Sequence, residues 1–126
     1  MPIATVTDAG RNLYRDGSKG TQNPIIKYVA LGSSSTTPVA GDTKLGAEIF
    51  RKAVTSYTNG VTGEVFINMY LSQNDIPNVP ISEIGFIGGA TAKATPNTGV
   101  LLARGLYSHT HAATESITFV LDFQIT

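Results

Sequence analysis

Apolar and polar positions alternate most cleanly near the end of the chain, where Ile117, Phe119, Leu121, Phe123 and Ile125 interleave with Ser116, Thr118, Asp122 and Gln124. A strand sends successive side chains to opposite faces, so five large apolar groups share one face. Burying all five is worth on the order of 10 kcal/mol at ~25 cal/mol per Å², before chain entropy is subtracted. This strand is therefore expected to cross a core. Glu64 to Ser72 repeats the pattern, with Val65, Ile67, Met69 and Leu71 on one face and Glu64, Asn68 and Ser72 on the other. Phe66 and Tyr70 break it on the polar side, which implies that the outer face is covered as well, by a helix or another chain.

Four more stretches have strand character. Ile25 to Leu31 follows Pro24, which restricts the chain before it to extended geometry. Arg51 to Tyr57 has β propensity and leads into Asn59-Gly60, the pair that type I′ hairpin turns favour. Ile81 to Ile87, interrupted by Glu83 and Gly85, reads as a fully buried or edge strand, and Val100 to Tyr107 as the next. Helical spacing occurs twice. Thr7 supplies a cap, Gly17 a stop, and Val6, Ala9 and Leu13 one narrow apolar stripe. Asp42-Thr43 is placed to start a second short helix, with Leu45 and Ile49 four apart and Phe50 nearby. Between these elements lie a small-residue loop from Gly32 to Gly41, the Pro77 and Pro80 region, a glycine-bounded loop from Gly88 to Gly99, and a turn from His109 to Thr114. Six strands with two short helices give a mainly β fold: an antiparallel β-sandwich with one or two short helices, formed as a single domain over residues 1–126.

Composition narrows the function. Only 14% of residues are charged, against roughly 25% in ordinary domains, and Ser, Thr, Asn and Gly fill the polar positions. Such a surface packs readily against other protein. Zero net charge gives no electrostatic footprint for nucleic acid or for an anionic membrane surface, and it permits close self-association. The absence of cysteine removes disulfides, thiolate nucleophiles and thiolate metal sites. No apolar run approaches the ~20 residues of a membrane helix, and Met1-Pro2-Ile3 has no secretory n-region or h-region, so a chain kept soluble without export is expected.

Candidate chemistry is sparse. His109 and His111 form a His-x-His pair that an extended segment would point one way, half of a transition-metal site if copies met on an axis; the plainer reading is a solvated turn. Asp42, Glu48, Glu64, Asp75, Glu83, Glu115 and Asp122 are scattered, no serine sits in a Gly-x-Ser-x-Gly elbow, and the histidines adjoin no orienting acid. No catalysis and no cofactor are expected. Glu48 and Arg51, three apart on the proposed second helix, read as an exposed pair; the alternative is that Arg51 or Glu83 anchors a buried polar contact to another strand or subunit. Gly32 and Gly85 each interrupt a strand where a side chain would otherwise pack, and mark backbone constraint.

The order of these features resembles a known family. Thr7-Asp8-Ala9-Gly10 with Leu13, a strand ending Ala30-Leu31-Gly32, Pro38, Asp42-Thr43-x-Leu45-x-x-Glu48-x-x-Arg51, then Ile81-x-Glu83-Ile84-Gly85-Phe86 and a closing alternating strand are similar to the N-terminal, baseplate-attachment domain of tailed-bacteriophage tail fibre and tail-collar proteins. The resemblance implies a non-enzymatic virion protein of the tail, assembled in the host cytoplasm, attached to other tail or baseplate proteins and forming a homo-oligomer, with a trimer favoured. It also makes Gly32, Asp42, Leu45, Glu48, Arg51, Glu83 and Gly85 the expected structural and interface residues. A tail fibre would continue past Thr126 into a shaft and a receptor-binding tip, so the chain is expected to be an excised attachment module or a small baseplate, tail-tip or adaptor subunit. Two other functions fit the same residues. One is a host-surface module reading glycan or protein through Ser33 to Gly41 and Gly88 to Gly99; the other is a capsid decoration protein.

Overall fold

The computed structural model describes residues 4–76 and 78–124, so Pro77 and Ile125 lie outside the described residues. Among the described residues eight strands and one helix follow in the order β1 (Thr5–Val6), α1 (Asp8–Ser18), β2 (Ile26–Gly32), β3 (Glu48–Ala53), β4 (Ser56–Asn59), β5 (Glu64–Leu71), β6 (Pro80–Gly88), β7 (Val100–Thr110) and β8 (Ile117–Gln124). They make two antiparallel sheets, one ordered β1-β7-β6-β2-β3 and the other β4-β5-β8. The fold is mainly β and sandwich-like, with a single short helix.

Alternation explains the core. Val29 and Leu31 of β2, Ile84 and Phe86 of β6, and Leu102 of β7 face Ile67, Met69 and Leu71 of β5 and Phe119 of β8. In β5 the inward positions are buried as the pattern predicts. In β8 only Phe119 is fully buried, while Ile117, Leu121 and Phe123 are half-buried, because β8 is the edge of the smaller sheet. The strand flanks the core more than it crosses it.

Helix α1 begins where its cap predicts. Thr7 Oγ1 accepts from Gly10 N at 2.9 Å, and its hydroxyl donates to Leu101 O of β7, which ties the first turn to the large sheet. Gly10 and Leu13 are the buried positions, not the expected Val6, Ala9 and Leu13 stripe. A Cβ on Gly10 would stand 2.7 Å from Leu102 O, so the glycine allows the helix backbone to touch the strand.

The second helix does not form. Residues 33–47 are an irregular loop, and Glu48 begins a strand. Leu45 and Ile49 do not share a face: Leu45 is 2% exposed in a small outer cluster with Ala30, Ile87, Ala92 and Leu101, whereas Ile49 is 38% exposed. The amides that a helix would have paired internally, those of Gly46 and Ala47, donate to Glu83. The β4–β5 hairpin forms, but not with a tight Asn-Gly turn. Its connection runs from Gly60 to Gly63, closed by Gly60 N to Glu64 O at 3.0 Å, and the positive φ falls at Gly63, at 81°. β6 is not an edge but lies between β7 and β2, and His109 belongs to the end of β7 rather than to the following turn.

Candidate functional site

Glu83 is the centre of the outer face of the large sheet. Along β6, Ile84 and Phe86 point into the sandwich, which sends Glu83, Gly85 and Ile87 the other way. The Glu83 side chain is fully buried, and each of its oxygens accepts two hydrogen bonds. Oε1 accepts from Gly46 N at 2.9 Å and Arg104 Nε at 2.8 Å; Oε2 accepts from Ser34 N at 3.0 Å and Ala47 N at 2.8 Å. Arg104 Nη1 reaches Asp42 Oδ2 at 3.3 Å, and the same oxygen accepts from Val39 N at 3.0 Å. One carboxylate and one guanidinium thus fix both ends and the middle of the 33–47 loop. Burial alone would raise the Glu83 pKa, but Arg104 and the three amides outweigh it and hold the carboxyl below its ordinary value. Gly32 lies beside this group because a Cβ there would collide with Glu83 Oε2 and Ala47 O.

A second clamp holds the 89–99 loop. Arg51 donates to Glu48 through Nε at 2.6 Å and Nη2 at 2.8 Å, and each side chain is 2% exposed. Residues three apart on a regular strand face opposite ways. Here the β2–β3 register pairs Leu31 with Phe50 and Gly32 with Glu48, which skips Ile49 and brings Glu48 and Arg51 to one side. Arg51 Nη1 then donates to Lys93 O at 2.9 Å and Thr98 O at 3.1 Å, while Asn97 N donates to Glu48 Oε1 at 3.2 Å. The pair is buried on a bulged strand, where the proposed helix would have left it exposed. Between the clamps, Leu45 sits over Gly85, whose Cβ would stand 2.7 Å from Leu45 Cδ2 and 2.9 Å from Leu101 Cδ1.

The structure therefore brings Gly32, Asp42, Leu45, Glu48, Arg51, Glu83 and Gly85 onto one face. Arg104 is the essential partner that sequence reasoning missed. Its only signal was a lone cation inside an apolar strand, a residue type almost never fully buried without a partner.

The histidines lie elsewhere, and neither is a solvated turn residue. His109 Nε2 is 2.7 Å from Glu115 Oε1, an orienting acid that the sequence reading did not identify. The hydrogen bond to His109, with a second from Ala112 N, holds the Glu115 carboxyl below its ordinary value. His111 is fully buried and its Nε2 meets Ser72 O at 2.9 Å, so the ring anchors the turn to the end of β5. Among the described residues no three metal-ligating side chains are arranged to hold an ion, and no helix is long and apolar enough to cross a membrane.

On the inner face a groove of about 1070 Å³ runs between α1, the β6–β7 floor and β8. Tyr14, Phe86, Tyr107, Phe119, Leu121 and Phe123 line it. Tyr14 stacks on Phe123 at 5.3 Å between ring centroids, and Tyr107 meets Phe119 edge-on at 5.4 Å. Buried charges on one face serve as loop clamps, and the other face offers apolar area. Comparison with protein-family models, with characterised proteins and with solved structures finds no match to this chain.

Proposed function

We propose that this chain is a structural attachment subunit of a tailed bacteriophage or phage-like particle, seated in the tail at the fibre, baseplate or tail tip and contacting other tail proteins without catalysis. The observation that carries the reading is the pair of buried ion-pair clamps. Burying such charges is costly, and it is recovered as one fixed conformation of two long loops rather than as extra stability. A fixed platform of hydroxyl-rich loops with few charges suits permanent docking between subunits. The exposed Thr36, Thr37 and Val39 at the loop tip, with few charges around them, give it a surface that a partner protein can cover with little desolvation.

The test is fractionation of particles carrying a tagged chain. Banding with tails, and loss of tail association when Thr36 and Thr37 are changed to Lys in a chain that still melts normally, is the expected result. Banding with heads would replace this reading with a decoration protein. Variants that enter tails normally but no longer adsorb to cells would replace it with a host-surface module.

A further inference from the structure

The two sheets have four edge strands, and three of them carry features that prevent edge pairing. β1 is two residues long, β4 is four residues long, and β3 has Glu48, Arg51 and Lys52 within its six residues. β8 has none of these. It is eight residues long, with no proline, glycine or lysine and a single charge at Asp122. β5 occupies one side of it through a continuous register from Glu64↔Gln124 to Leu71↔Ile117, and no described strand pairs with the other side. A row of main-chain donors and acceptors is left along a long, unbroken, mostly apolar strand, and such a row selects another strand as its partner.

We propose that β8 pairs edge to edge with β8 of a second copy of this chain, antiparallel and two-fold, in a register centred on Val120. Directly opposed residues of an antiparallel pair share a face. In this register Leu121 lies opposite the partner's Phe119, Phe123 opposite the partner's Ile117, and Asp122 opposite the partner's Thr118. The apolar row stays on the groove side, and a hydroxyl donates to the carboxylate on the outer side. A register centred on Asp122 would set two carboxylates against each other, and one centred on Leu121 would set Asp122 against valine methyls without a donor. Zero net charge removes any overall repulsion between copies. The added strand also lies along the open side of the groove, where Ile117, Leu121 and Phe123 are only half-buried.

This pairing does not rest on the attachment reading, and it replaces the trimer that the family resemblance implies with a two-fold contact. The test is light scattering on the purified chain with two substitutions at exposed outward positions. Wild type is expected at twice 13.3 kDa. Val120→Lys, which opposes two ammonium groups on the axis, is expected to halve that mass, whereas Thr118→Lys, which meets the partner's Asp122, is expected to keep the dimer. A wild-type monomer or trimer, or a V120K chain that stays dimeric, overturns the proposal and leaves tail association to be decided by its own experiment. If V120K does not fold, amide exchange of wild-type residues 117–124 decides the matter. Protection that grows with protein concentration supports the pairing; protection independent of concentration refutes it.

Discussion

On the outer face of the five-stranded sheet, two loops without regular structure are fixed by Glu83–Arg104 and Glu48–Arg51. On its inner face, a three-stranded sheet with complete ladders leaves an apolar groove open beside β8. The two sides are fastened by different means. Hydrogen-bond ladders fix strands to one another within a sheet, whereas attachment between layers depends on what crosses the gap. Across the outer gap run buried charges with several short bonds each, and across the inner gap runs an apolar core that is dry around β5 and half wet beside β8.

The largest test of this contrast is Glu83→Ala. It leaves Arg104 buried with only Asp42 and strands the amides of Ser34, Gly46 and Ala47, for an expected loss of about 3–5 kcal/mol in denaturant melts. A loss under about 1 kcal/mol would mean that the loop is not held there. The same clamp sets a pH dependence. Because the folded Glu83 carboxyl titrates below its ordinary value, its contribution is complete above the unfolded carboxylate range of about pH 4–5 and disappears as pH falls through the lowered folded value. Stability that did not fall on acidification below about pH 5 would contradict it.

Arg51→Ala is next. It leaves Glu48 buried and uncompensated, with an expected cost of about 3 kcal/mol and faster amide exchange from residue 93 to residue 98. Unchanged exchange in that segment would show that the loop holds itself. A paired substitution then measures the inner face. Leu71→Ala, at a fully buried site, is expected to cost about 2–5 kcal/mol, and Leu121→Ala, on the groove, about 1 kcal/mol. Equal losses would mean that the groove is closed in solution. Gly85→Ala probes the contact between the clamps, where the new methyl meets Leu45 and Leu101 and overpacking costs about 1–3 kcal/mol. Wild-type melting of that variant would show that Leu45 yields freely.

Local signals in the sequence were reliable where local physics decides. Thr7 capped the helix it was placed to cap, and the period-2 pattern from Val65 to Leu71 described β5 and its buried face. The closing strand was legible as a strand but not as an edge, because alternation records which face is apolar and not how much lies across from it. The corner at Asp42 failed for a definite reason. The spacing of Leu45 and Ile49 fits a helix and equally fits a loop anchor followed by an exposed bulge residue, and only Glu83, 36 and 37 residues further along, chooses between them by taking the Ala47 and Gly46 amides. Glu83 and the Glu48–Arg51 pair were singled out, but their distant partners were not, since Arg104 is 21 residues from Glu83 and the Lys93 and Thr98 carbonyls are 42 and 47 from Arg51. Charge pairing at that separation leaves no periodic trace.

The wiring of Glu83 also orders events in time. Its four donors come from both ends of the 33–47 loop and from β7, with Ser34 49 residues away along the chain. Beyond a local turn at Val39–Asp42, the two ends of the loop have nothing to hold them until β6 lies against β2 and β7 and presents the carboxylate with its counter-charge. Folding of this face is therefore expected to finish last, with the β2–β6–β7 sheet assembling first and the carboxylate then drawing the loop down. Substitutions in the loop should accordingly speed unfolding while leaving the rate of folding nearly unchanged.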